Sequence, residues 1–374
     1  MLAGPIIGVD AATGLGDDGP AMQSGNRMTT SVWMVVGALA LAAAMTACGA
    51  RAPQAPARLP AIGIAPGSVT VSGISGGGYM AVQFHVAHSR LVHGAGIVAA
   101  GPYFCAEDSL RLALGRCMNG SEPIPTEELV STTSRLALEE AIDPIANLAD
   151  DRVWLFHGAA DHTIAKPVVD ALEAYYALLV APANIKHIEH PGAGHTFPTL
   201  SKDAAACDVT ASPYVGNCGI DGARDMLQQL YGTLRAGREP AQGELAEFDQ
   251  RPYADAGGSE SFAARGWLFV PAQCREGAAK KCRLHVVFHG CRQGSSFVGD
   301  AFVRQSGYLE AAAGNDVVLL FPQLVASYQP LNPNGCWDWW GYESSWYAVK
   351  GGPQMIAVRA MVDDLLGEPR SAGR

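Results

Sequence analysis

Long runs of like charge are absent from this 374-residue chain, and basic residues are scarce. Its 26 Lys and Arg stand against 36 Asp and Glu, giving a formal net charge of −10. With no basic surface to neutralise phosphates, nucleic acid is excluded as a partner. No Cys-x-x-Cys and no cluster of histidines occurs, so neither a zinc site nor any other metal or cofactor is expected. The apolar stretch from Ser31 to Ala47 is short and alanine-rich for a bilayer span, which needs about 20 strongly apolar residues. What remains is a globular composition, 48% hydrophobic and 17% charged, in a chain long enough to bury a sizeable core.

The same apolar stretch, preceded by Arg27 and closed by Thr46-Ala47-Cys48, has the parts of a secretory signal. A signal carries its charge at the very start, so translation is expected to begin at Met22 or Met28. Met45-Thr46-Ala47-Cys48 resembles a bacterial lipoprotein box with methionine in place of the usual leucine. That would put a lipid on Cys48 and attach the exported protein to a membrane; ordinary signal-peptidase cleavage nearby is the alternative. Residues 1–47 are read as leader and signal, 48–67 as an Ala/Pro-rich tether, 68–367 as one catalytic domain and 368–374 as a tail. Of nine cysteines, eight follow Cys48, and an even number in an exported chain reads as disulfides. Eight allow about 105 pairings. Spacing points to Cys105–Cys117, Cys207–Cys218 and Cys274–Cys282, leaving Cys291 with Cys336.

The chain is organised around Val69-Thr-Val-Ser-Gly73-Ile-Ser75-Gly-Gly77, a β-branched run that breaks into glycine and serine before an apolar helical pattern. Gly73-Ile74-Ser75-Gly76-Gly77 fits the Gly-x-Ser-x-Gly nucleophile elbow. A serine that must expose its Oγ sits on a strained strand-to-helix turn, and side chains two positions either side would clash. The helix after it is expected to be amphipathic, over Gly78–Ser89, and to aim N–H groups at a developing oxyanion. A plain glycine-rich turn is the bland alternative.

Downstream, strand-like Arg152–Gly158 runs into a turn ending at Asp161, and strand Asn184–Glu189 into Gly192-Ala-Gly194-His195. An aspartate and then a histidine on loops after consecutive strands give the order Ser…Asp…His of an α/β-hydrolase. Alone, Asp161 would read as a turn or cap residue and His195 as a loop histidine. His157, His187 and His190 read as structural; Asp143, Asp150 and Asp151 read as turn and cap residues, with Asp143 or Asp151 next in line for the acid. Tyr103–Glu122 reads as an irregular loop, Thr126–Ala141 as a helix capped by Thr126, and Ala301–Ala313 as one helix.

About 180 residues follow His195. Among them Leu284–Phe288 ends in His289-Gly290-Cys291, and a strand ending in His-Gly ordinarily precedes the nucleophile and supplies an oxyanion amide. Circular permutation accounts for the order: strands usually found before the elbow have moved behind it, still completing one sheet. The fold class expected is therefore α/β, a single-domain, circularly permuted α/β-hydrolase with a mostly parallel central sheet flanked by helices.

With Asn332-Pro-Asn-Gly-Cys336-Trp-Asp-Trp-Trp340-Gly-Tyr, the elbow and the His-Gly-Cys strand end resemble the single-domain poly(3-hydroxybutyrate) depolymerases over residues 60 to 366. The resemblance implies Ser75 as nucleophile, Asp161 as acid, His195 as base, and an oxyanion hole of the Gly76 and Cys291 amides. It also implies a crevice lined by Trp337, Trp339, Trp340 and Tyr79, and a polyester or oligoester as the substrate. Of the three tryptophans, at least one is expected to be buried and one exposed. Members often carry a second serine where this chain has Gly76; the amide survives. The chain shows no separate polymer-binding module or Thr-rich linker. A secreted feruloyl- or acetyl-esterase shares this catalytic logic, and a non-catalytic surface lipoprotein on a decayed hydrolase fold is the alternative outside enzymes.

Overall fold

Strand β1, Ile64–Ile74, lies inside an eight-stranded sheet in the computed structural model, which describes residues 58–235, 241–275 and 281–368. On one side of it come β2 (Val92–Val98), β3 (Arg152–Gly158) and β4 (Ile185–His190), all parallel. On the other side Cys282–Phe288 pairs parallel with β1, and Val317–Phe321 parallel with that strand. Arg265–Pro271 joins antiparallel, and Gly243–Asp249 closes the edge. The central strands are near-continuous apolar runs, as strands covered on both faces must be. Val317–Phe321 is buried at every residue, and so is β1 from Val69 onward.

Helix α1, Gly76–Ala87, follows β1 directly and is buried along its whole length. It was expected to be amphipathic, but it has no water-facing side, and its few polar residues are enclosed. The strand before it starts at Ile64, inside the stretch read as tether. Leu59 and Ile62 are already buried, and the Ile62 N–H donates to the Leu365 carbonyl at 2.9 Å. Apolar residues at alternate positions, 62 and 64, are what the Ala/Pro content had obscured.

Other expectations need correction. The stretch read as an irregular loop holds a helix, Leu110–Leu114, running into a wide helical turn, Gly115–Asn119. The helix Thr126–Leu138 begins at Thr126, whose hydroxyl caps nothing because Pro125 occupies the cap position. Ala301–Ala313 is two helices, Ala301–Gln305 and Tyr308–Ala313, broken where Gly307 takes φ 84°. A small three-stranded sheet, Phe197–Thr199 with Val215–Asn217 and Ala205–Ala206, was not foreseen. Four disulfides join Cys105–Cys117, Cys207–Cys218, Cys274–Cys282 and Cys291–Cys336, the pairing that spacing had pointed to. Among the described residues no helix is long and apolar enough to cross a membrane. The signal stretch and Cys48 lie outside them.

Candidate active site

Ser75 sits between the end of β1 and the first residue of α1 with φ 56° and ψ −125°. That backbone is costly for a residue with a side chain, on the order of 1–3 kcal/mol, and survives only where the surroundings impose it. They do so here by close approach. A Cβ on Gly73 would overlap the Gly77 carbonyl, and one on Gly77 would overlap the carbonyl oxygens of Phe288 and His289. The Ser75 N–H is tied to the Val98 carbonyl at 2.9 Å, so the turn is held from β2 as well.

Asp161 lies on the turn after β3, its side chain fully enclosed. Oδ1 accepts from the N–H groups of Thr163 at 2.7 Å and Ile164 at 2.9 Å, which leaves Oδ2 for His195 Nδ1 at 2.7 Å. Burial pushes the carboxyl up, but the His195 hydrogen bond and charge, with the two backbone donors, outweigh it and hold Asp161 below the usual carboxylate range. A carboxylate can only accept, so Nδ1 carries the proton and Nε2 is left as an acceptor. His195 is fixed from behind by its own N–H, which donates to Thr210 Oγ1 at 2.9 Å.

Ser75 and His195 line one cavity of about 600 Å³, with Gly290, Cys291, Trp339 and Trp340 on its wall. Among the described residues no hydrogen bond joins Ser75 Oγ to His195. Cys291 reaches the site because Cys282–Phe288 runs beside β1 in register, Gly73 opposite Phe288. A Cβ on Gly76 would lie 2.9 Å from Cys291 Sγ and 3.6 Å from Trp339 Nε1. A serine there would have to displace the Cys291 sulfur, while the Trp339 contact is an ordinary one. The N–H groups flanking that of Cys291 are spent: Gly290 donates to Gln293 Oε1 and Arg292 to the Asn334 carbonyl, each at 2.7 Å. Among the described residues nothing accepts from the Cys291 N–H. The Gly76 N–H opens a helix and has no intrahelical acceptor. Together these are the parts for acyl transfer through a tetrahedral oxyanion: a strained serine, an imidazole with a free acceptor nitrogen, and open amides.

The aromatic residues divide. Trp339 is nearly enclosed, with its indole N–H unpartnered, and Trp340 is half-buried; both line the cavity. Trp337 is set back in the core, its ring 4.9 Å from Phe288 and 5.8 Å from Phe262. Tyr79 is also one layer back. It stacks on Trp339 at 4.1 Å and 9° and donates its hydroxyl to the Cys117 carbonyl, so it props a wall residue instead of forming the wall. No member of the cluster is fully exposed; among the described residues the exposed tryptophan is Trp346. Asp338 fixes the loop, accepting from the N–H groups of Gly341, Tyr342, Glu343 and Ser344 at 2.8–3.1 Å. Burial pushes its carboxyl up to about 6 even so.

Sequence reasoning missed Leu110, Leu114 and Met118, which also line the cavity, and Thr210 behind the histidine. Leu110, Leu114 and Met118 recur at every fourth residue, but the helix is too short for that spacing to announce it. His157 is structural: buried, with Nε2 on the Ile164 carbonyl at 3.1 Å.

A mostly parallel sheet whose central strand ends in a serine elbow, with the aspartate and histidine beyond neighbouring strands, defines an α/β-hydrolase. No protein-family model matches the chain. A poly(3-hydroxybutyrate) depolymerase of Delftia acidovorans is 43% identical over 329 residues, covering 87% of this chain; the match spans 65% of that relative's length. A polyhydroxybutyrate depolymerase of Talaromyces funiculosus is 35% identical over 82% of this chain and 92% of its own. Two solved structures superpose with a TM-score of 0.77, each over 83% of this chain and 99% of the other. One is a PHB depolymerase from Penicillium funiculosum at 33% identity; the other, at 32%, is a serine-to-alanine PHB depolymerase complexed with an R3HB trimer. This chain belongs to the polyhydroxybutyrate depolymerase family.

Proposed function

We propose that the chain is an exported serine esterase that hydrolyses poly(3-hydroxybutyrate) or its oligomers. The observation that carries this is the Asp161–His195 pair, whose free Nε2 belongs to the same cavity as Ser75. His195 Nε2 takes the Ser75 proton as Oγ attacks the ester carbonyl, and Asp161 holds the tautomer and the charge that develops. Catalytic hydrogen bonds often close only when substrate arrives, so the open Ser75–His195 gap is compatible with this role. The oxyanion is received by the N–H groups of Gly76 and Cys291. The alkoxide leaves with the proton from His195, and water then cleaves the acyl-enzyme by the same route in reverse. A cavity walled by Trp339, Trp340, Leu110 and Leu114 suits methyl groups and uncharged esters.

The strand order favours the permutation reading, since Cys282–Phe288 and Val317–Phe321 stand where strands ahead of the elbow would stand. Export is supported by the apolar leader and four disulfides, and we assign Cys48 as the lipid-bearing first residue of the mature chain. The purified protein is expected to clear amorphous poly(3-hydroxybutyrate), and Ser75→Ala to lose at least about 10³-fold in rate with its fold intact. Clearing by the alanine variant, or hydrolysis confined to feruloyl or acetyl sugar esters, would overturn the assignment.

A further inference from the structure

The Cys291 amide is one face of a peptide plane whose other face is the Gly290 carbonyl. A trans peptide points its C=O and N–H in opposite directions, so whatever holds the carbonyl also aims the N–H. The holder is His289. Its Nδ1 lies 2.8 Å from the Gly290 oxygen, which can only accept, so Nδ1 carries the proton. The tautomer is fixed independently at the other nitrogen, where the Leu324 N–H donates to Nε2 at 3.1 Å. The ring is fully buried and packed against Trp337, and burial pushes it down to about 4, so it is neutral above that pH. Every neighbour of the Cys291 N–H is thus committed: Gly290 N–H to Gln293, Gly290 C=O to His289, Arg292 N–H to Asn334, and the side chain to Cys336.

We propose that His289 is a positioning residue of the oxyanion site: its Nδ1–H holds the Gly290 carbonyl and so keeps the Cys291 N–H turned to the place where the substrate oxyanion forms. The inference rests on the role given above to Cys291. The hydrogen bond to the carbonyl also polarises the peptide, which strengthens the donor on its far side. His289 touches neither substrate nor Ser75 Oγ; it acts through one peptide bond.

Two substitutions separate aiming from filling space. In His289→Asn the side-chain amide can still donate near the Nδ1 position, while the Leu324 partner is lost. In His289→Gln the longer side chain can still accept from Leu324, while the donor to Gly290 is lost. With a soluble 3-hydroxybutyrate oligoester, His289→Gln is expected to lose about 10- to 30-fold in kcat with KM unchanged, short of the ~10²-fold or more for deleting a whole oxyanion donor. Binding of a boronate transition-state analogue should weaken in parallel. His289→Asn should stay within about 2-fold of the parent, a difference of under half a kcal/mol. Equal losses in both variants, or a fully active His289→Gln, would overturn the inference. Should both variants fail to fold, the ¹⁵N shifts of the intact protein decide: His289 must be the Nδ1–H tautomer, and an Nε2–H tautomer overturns the proposal. Failure of the underlying reading shows differently, as ester hydrolysis that survives Ser75→Ala.

Discussion

Among the described residues two buried His–Asp pairs flank the same helix, and one of them faces a cavity that holds a serine. His195–Asp161, at 2.7 Å, belongs with Ser75 at the start of α1. His85–Asp151, at 3.0 Å, lies near the end of α1, about 15 Å further along at 1.5 Å per residue. The chemistry of the two contacts is alike. Burial pushes Asp151 up, and hydrogen bonds from His85 and His93 outweigh it, so it too is held below the usual range. The difference lies at the other imidazole nitrogen. His195 leaves Nε2 without a partner at a cavity; His85 Nδ1 accepts from the Tyr176 hydroxyl at 3.0 Å. A His–Asp contact is therefore no sign of catalysis until its second nitrogen has been followed.

The largest test of that contrast compares one substitution at each pair. Asp161→Asn should leave the fold near normal and lower kcat by about 10³–10⁴-fold, because the amide allows the wrong imidazole tautomer. Asp151→Asn should leave kcat per folded molecule unchanged but cost about 2–3 kcal/mol in denaturant unfolding, the scale for losing a buried hydrogen bond to a charged group. A slow Asp151 variant, or an Asp161 variant at full rate, would erase the distinction.

Acid should then treat the two pairs alike. Each aspartate has a folded pKa below its unfolded value, so its stabilisation is present above about pH 4 and is lost as pH falls through the lowered folded value. Asp338 has the opposite sign: raised to about 6, it contributes most below about pH 4 and loses that contribution as pH rises through 6. The stability profile of Asp151→Asn should accordingly be flatter than the parent's on the acid side. Asp338→Asn should gain on the parent between pH 4 and 8, and parallel profiles would contradict both shifts.

Which aspartate would pair with His195 was legible, and for a physical reason. Ligands bind beyond the carboxyl ends of parallel strands. Asp151 precedes β3, whereas Asp161 follows it. The elbow was legible because Gly73 and Gly77 occupy the two places where a side chain cannot fit. The outer wall was not. Leu110–Leu114 is a five-residue helix between disulfide-linked cysteines, too short for periodicity to announce it. Nor could spacing alone decide that Trp337 turns inward while Trp339 and Trp340 reach the cavity, since the Asp338 loop folds on its carboxylate and has no repeating pattern to read.

The smallest effect is expected at Tyr176, and it probes why the second pair is silent. Asp151 accepts from the N–H at His85 Nε2, so Nδ1 is the acceptor and the Tyr176 phenol donates to it. The phenol thus occupies the role a nucleophile's hydroxyl would have, but it is sealed in the core. Burial foremost, and then the nearby Tyr175 and Asp151, push its ionisation well above 10. A hydroxyl that neither ionises nor meets substrate satisfies the imidazole and does nothing more. Tyr176→Phe keeps the ring and its packing while orphaning His85 Nδ1. The loss should be about 1–2 kcal/mol, the cost of a buried acceptor without a partner. It should fall below that of Asp151→Asn, with an unchanged m-value and unchanged ester hydrolysis. Unfolding in urea beside a rate assay reads both quantities. A fall in kcat would mean that the far end of α1 is coupled to Ser75, and the two pairs would no longer be independent.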